Sequence, residues 1–270
     1  MDRDDASVMP QARTALLAGG GRARLAVVLL HGLTNSPAQY SAFAPMLFEH
    51  GVNVLVPRMP EHGDRNRMTT RIARLEPQAL LRTAGEAVDI ACGLGENVGV
   101  LGISMGGLLA AYCAQFRPLH VAVLVAPDFG LLGLPYWASR FLGWGLRRLP
   151  NAFLWWDPRV RDTRRPYAAY PRFPTRVLGK TLAIGDAVYT AAQRQPPRTA
   201  RIVTVVNRND PAVSNPVTQR VVRRWSRDGS HDARYVELEN LPRFHDIVDP
   251  EQPLARTELV YPRLLEALAV

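Results

Sequence analysis

Apolar positions along this chain follow two alternating rhythms. Residues 25–30, 52–56, 98–103, 120–126, 202–206 and 235–238 are short runs rich in valine, leucine and isoleucine. Such continuous runs suit strands covered on both faces. Between them, apolar residues recur at helical spacing. Leu80, Leu81, Ala84, Val88 and Ala91 mark a helix over 76–92, and further helices are expected at 105–116, 215–225 and 253–268. Pro118 terminates the second of these. Ser36 is placed to cap a helix with Pro37 at its first position, running to about Glu49 and stopped by Gly51. Residues 1–22 read as poorly ordered or peripheral, with Ala15-Leu16-Leu17 as a short edge strand. Strands alternating with helices predict an α/β fold: a mostly parallel sheet with helices on both faces.

The alternation breaks once. More than seventy residues separate Ala126 from Ile202, where a crossover needs only about a dozen. Residues 1–128 and 196–270 are therefore expected to form the core. Residues 129–195 are expected to form an inserted helical cap that ends in a returning crossover helix over 181–193.

Chemistry concentrates at Gly102-Ile103-Ser104-Met105-Gly106, a G-x-S-x-G sequence between a strand and a helix. In that context the serine sits on a sharp turn above the sheet edge, at a helix N-terminus that favours negative charge. A serine hydroxyl needs an adjacent base, and a histidine base needs a carboxylate to hold it. His245 follows the last strand and is the candidate base. His50 and His120 border core elements and read as structural, while His231 sits in a polar turn. Asp210 follows the 202–206 strand and is the candidate acid, with Asp128 as its rival. Asp246 is expected to turn away from its neighbour His245. The order is then Ser104, Asp210, His245.

With His31-Gly32 after the first long strand, Asn209-Asp210 and His245-Asp246, these residues resemble an α/β-hydrolase of the bacterial carboxylesterase and monoacylglycerol-lipase type. The resemblance covers roughly residue 24 to the end, the cap only in position and character. It implies an oxyanion hole made by the backbone N–H groups of Leu33 and Met105. It also implies a serine esterase acting through an acyl-enzyme on esters of small to medium acyl chain, monoacylglycerols among them. Thioesterase, amidase and acyltransferase activities use the same residues, and a non-catalytic binding protein could keep the same fold. One departure stands out: the family often carries Gly-His-Gly after the second strand, and here it is Glu61-His62-Gly63.

Composition refines this picture in a few places. The net charge is +9, from 33 basic and 24 acidic residues. Phe129 to Lys180 alone carries ten basic and two acidic residues, and Lys180 is the chain's only lysine. Markers of nucleic-acid modules are absent, so the charge is not read as nucleic-acid binding. The same stretch holds Trp137, Trp144, Trp155 and Trp156. Trp137 and Trp144 are the candidate substrate-binding residues. The four tryptophans either line an acyl pocket, form an arginine-rimmed patch that touches anionic membranes, or fill the cap's own core. Cys92 and Cys113 both read as small core residues rather than a disulfide. No cofactor or metal is expected. Met1-Asp2-Arg3-Asp4-Asp5 lacks the character of a secretory signal, so the expected location is cytoplasmic.

Overall fold

The computed structural model describes residues 4–156, 168–227 and 229–270. In chain order its strands are β1 (Ala15–Leu17), β2 (Ala23–Leu30), β3 (Asn53–Val56), β4 (Gly95–Ile103), β5 (Val121–Val125), β6 (Phe153–Trp155), β7 (Arg172–Pro174), β8 (Arg201–Asn207) and β9 (Asp232–Leu238). Its helices are α1 (Phe43–Glu49), α2 (Pro77–Leu94), α3 (Met105–Phe116), α4 (Tyr136–Arg148), α5 (Thr175–Arg194), α6 (Asn215–Trp225) and α7 (Thr257–Leu268).

Seven strands form one sheet in the order β1-β3-β2-β4-β5-β8-β9. Only β1, at one edge, runs antiparallel. The strand order reverses beside β2: the chain first moves outward to β3, then returns to β4 on the other side. Ligands of open α/β sheets bind in the crevice at such a reversal. Alternation along β2 serves two cores. Ala26, Val28 and Leu30 face α2 and α3, whereas Val27 and Leu29 face α1 and α7.

Between β5 and β8 the chain forms α4, the small antiparallel pair β6–β7, and α5. Helix α5 packs on α3 and on α6. Its start at Thr175 is earlier than the expected crossover helix. The part of the expected cap at 157–167 lies outside the described residues.

Three expectations need correction. The helix predicted from Pro37 to Glu49 is a 3-10 turn, Pro37–Tyr40, followed by α1. Ser36 makes no side-chain cap there; its N–H instead donates to Asn35 Oδ1 at 2.9 Å. The N-terminal segment is packed rather than peripheral. Val8, Met9 and Ala12 are buried, and Asp4 pairs with the buried Arg58 at 2.6 Å. Cys92 is exposed, because Ala91 takes the inward position of α2 at that turn; Cys113 is buried as expected. His50 and His120 are also exposed.

Backbone approach makes two glycines necessary. A Cβ on Gly106 would overlap the Leu30 carbonyl, and one on Gly102 would overlap the Gly106 carbonyl. Gly106→Ala should therefore lower stability by roughly 3 kcal/mol or more, seen as a loss of soluble protein or a large fall in Tm. Gly93 lies in α2 with nothing near the position of an added Cβ. Gly93→Ala should raise stability by about 0.5–1 kcal/mol.

Candidate active site

Ser104 follows the last residue of β4 and precedes the first residue of α3. Its backbone is left-handed, at φ 57° and ψ −117°. A non-glycine residue held there stores on the order of 1–3 kcal/mol of strain. The turn is held from both sides: Ser104 N–H donates to Val125 O at 2.9 Å, and its carbonyl accepts from Leu108 N–H at 3.0 Å. The side chain is half-buried between buried Ile103 and Met105.

His245 lies in the loop after β9. Its Nδ1 pairs with Asp210 Oδ2 at 2.7 Å. Asp210 Oδ1 is already occupied by the N–H groups of Ala212 and Val213, at 2.8 and 3.1 Å. An ionised carboxylate only accepts, so Nδ1 carries the proton and Nε2 is left with its lone pair. Two asparagines hold these loops together. Asn207 Nδ2 donates to the carbonyls of Pro242 and Phe244, at 2.8 and 2.7 Å, and Asn209 Nδ2 donates to Leu241 O at 2.9 Å. Both lie beside the motif that singles out Asp210, yet their role appears only once β8 and β9 are paired.

The loop after β2 is equally constrained. His31 Nε2 accepts from Met59 N–H at 3.0 Å, so His31 Nδ1–H donates to Gly32 O at 2.9 Å. Burial holds His31 well below its ordinary pKa, and the neighbouring His62 adds to this. His62 lies with Nε2 on the Leu33 carbonyl and Nδ1 on the Pro60 carbonyl. Glu61 occupies φ 64° and Gly63 φ 80°, so Glu61 adopts the backbone a glycine would supply. Tyr170 Oη–H donates to Glu61 O at 3.2 Å. Among the described residues the Leu33 N–H has no backbone acceptor. Met105 N–H opens α3, where the first N–H groups lack intrahelical partners.

A polar network joins this loop to His245. Asp246 Oδ2 accepts from Gln39, Asn35 and Gln252 side-chain amides at 2.8, 3.2 and 3.0 Å. Gln39 Oε1 also accepts from Gly32 N–H at 2.8 Å, and Asn35 Nδ2 reaches Asp249 at 3.0 Å. Burial, with Asp246 alongside, pushes the Asp249 carboxyl up to about 7.

Charge on His245 is contested. Burial disfavours the cation, but the Asp210 charge and hydrogen bond outweigh it, helped by Asp246 and Asp128, and the imidazole sits above its ordinary 6.5. Asp128 is not bonded to His245 but acts on it through space. Its N–H donates to Ser104 O at 3.4 Å, and its Oδ1 is buried without a partner. Burial pushes this carboxyl up to about 7, against the attraction of His245.

The tryptophans divide. Trp137 and Trp144 lie on α4, 71% and 46% exposed, because α4 turns Ser139 and Gly143 inward instead. The tryptophan that reaches the β2 loop is Trp156. Its Nε1–H donates to Thr34 Oγ1 at 2.7 Å, and its ring packs on Phe173.

The family model described as "Alpha/beta hydrolase family" matches residues 27–257. The chain belongs to the alpha/beta hydrolase family. A structure from a report on two metagenome-derived lipolytic enzymes, LipS and LipT, resembles this hydrolase with a TM-score of 0.70 and 20% identity, covering 97% of this chain and 99% of that one. The monoacylglycerol lipase of Paleococcus ferrophilus gives a TM-score of 0.71 at 19% identity, over 94% and 97% of the two chains. A soluble variant of the Saccharomyces cerevisiae monoglyceride lipase gives 0.64 at 12%, over 94% and 90%. A Gibberella zeae "AB hydrolase superfamily protein" is 30% identical over 105 residues, 39% of this chain. That match spans only 36% of the relative's length.

The raised Asp128 gives a stability test. The folded state binds its proton more tightly than the unfolded chain does, so stability falls as pH rises from about 4 towards 7. Asp128→Asn removes this term. Its Tm should gain on the wild type as pH increases from 4 to 8; a constant difference would mean the carboxyl titrates normally.

Proposed function

We propose that this hydrolase is a serine esterase that cleaves carboxylic esters of small to medium acyl chain through an acyl-enzyme. The observation that carries the proposal is the His245–Asp210 pair at 2.7 Å, which leaves Nε2 unprotonated on the same sheet edge as the strained Ser104. Ser104 Oγ attacks the ester carbonyl and passes its proton to His245 Nε2. Asp210 stabilises the imidazolium that forms. The oxyanion is held by Leu33 and Met105 N–H groups, one from a rigid loop and one from a helix start. His245 returns the proton to the departing alcohol. Water, activated by the same nitrogen, then releases the acid and restores Ser104.

The described parts of 129–195 act as the cap of this site. Trp156 and Tyr170 hold the β2 loop, since Tyr170 N–H donates to Thr34 O at 2.7 Å. The folds shared with two proteins named monoacylglycerol or monoglyceride lipases make monoacylglycerols the first glycerol esters to try. Thioester, amide and acyl-transfer chemistry would use the same groups, and a panel of matched esters, thioesters and amides separates them.

Ser104→Ala and His245→Ala should each lower kcat by about a million-fold, and Asp210→Asn by about ten-thousand-fold. A fluorophosphonate probe should label the wild type and not Ser104→Ala; an unlabelled wild type would identify a binding protein that does not turn over. Because His245 must be neutral to accept a proton, kcat/KM should be lost as pH falls through an apparent pKa above 6.5. Asp210→Asn should move that limb to lower pH.

A further inference from the structure

Helix α4 is amphipathic in the unusual sense. A surface helix normally buries its large apolar face. Here Ser139 and Gly143 are the buried residues of α4, packed on α5. The approach is close: a Cβ on Gly143 would stand 3.2 Å from Leu182, and one on Gly179 of α5 would stand 2.7 Å from the Gly143 carbonyl. The large side chains are left outside, with Trp137 at 71%, Phe141 at 68% and Trp144 at 46% exposure.

These positions form one stripe. Trp137, Phe141, Trp144 and Arg148 are spaced by four, three and four residues, which keeps them on one face of the helix. The stripe is ordered internally. Phe141 and Trp144 stack at 5.8 Å, and the Arg148 guanidinium lies 4.2 Å over the Trp144 ring. Leu149, at the end of the helix, is 57% exposed. A contiguous patch of this kind marks a surface that meets something other than water.

Charge selects the occupant. The α4 sequence contains Arg140, Arg147 and Arg148 and no acidic residue. Among the described residues, Arg147 and Arg148 have no carboxylate partner, and Arg140 pairs with Asp186 at 3.3 Å. Two copies meeting through this face would bring arginine against arginine, which opposes self-association. An anionic lipid surface supplies both requirements: phosphates for the guanidinium groups and an acyl boundary for the rings. No described helix is long and apolar enough to cross a membrane, so the contact would be peripheral.

We propose that the outward face of α4 docks this protein on anionic membranes, with Trp137, Phe141 and Trp144 at the acyl boundary and Arg147 and Arg148 on the lipid phosphates. The proposal does not depend on the esterase chemistry, and its test reads binding rather than turnover. Full-length protein would be sedimented with vesicles of phosphatidylglycerol and phosphatidylcholine, or of phosphatidylcholine alone, at low and high salt. Binding to the anionic vesicles at low salt is expected, with a blue shift in tryptophan emission and about a tenfold loss at high salt, where surface charges are screened. Arg147→Glu/Arg148→Glu should abolish binding, and Phe141→Ala should weaken it about tenfold. Phe141 and Arg148 lie on the outward stripe, whereas Arg147 sits at its margin beside Gly179 of α5, so Phe141→Ala should leave Tm unchanged; if the double variant misfolds, Phe141→Ala still decides. Equal, salt-insensitive binding to both vesicle types would overturn the anionic recognition. So would an absence of vesicle binding together with a concentration-dependent dimer that Phe141→Ala dissolves, which would make the occupant a second copy of the chain.

Discussion

The structure depends on how closely the start of α3 approaches the end of β2. At Gly106 the two backbones meet with no room for a Cβ, and at Gly102 the same holds between β4 and α3. This contact forces Ser104 into its left-handed turn. It also brings the Leu30 and His31 carbonyls, at the end of β2, against the start of α3. Ser104 and the start of α3 are thus positioned by one packing constraint. The strain at Ser104 is sustained because the sheet on one side and the helix on the other are both buried and well formed.

Around that turn, electrostatics are arranged through acids. Asp210 touches His245, Asp246 turns to amides from the β2 loop and from Gln252, and Asp128 is buried beside Ser104 with its Oδ1 unpartnered. Each favours the charged form of His245. The amides of Asn35 and Gln39 also tie the loop of His245 to the loop of Leu33. The loops that carry His245 and Leu33 therefore share one hydrogen-bonded frame.

Much of this was legible in the chain itself. Spacing located α6, which buries Val217, Thr218, Val221, Val222 and Trp225 on one face, while the G-x-S-x-G turn and Pro118 bracketed the almost wholly buried α3. The G-x-S-x-G turn was legible because its glycines answer a steric demand. Contacts between distant loops were not. Gln39 meets Asp246 across 207 positions, and Trp156 meets Thr34 across 122. A single glutamine or tryptophan carries no periodic signal of its partner. Helix α4 shows the limit of patterning most clearly. Its sequence reveals two unlike faces, but which face turns inward was decided by how closely Gly143 and Gly179 let the helices approach.

The insertion between β5 and β8 has a further meaning for the ribosome. Strand β5 reads Val-Ala-Val-Leu-Val and is wholly buried once β8 lies beside it. Yet β5 ends at Val125 and β8 begins at Arg201. At about 5–20 residues per second, several seconds pass between the emergence of the two. During that interval the growing half-sheet presents an apolar edge with unpaired backbone groups, the kind of template on which nascent chains stick to one another. The long insertion between β5 and β8 thus prolongs the most vulnerable moment of the chain's birth.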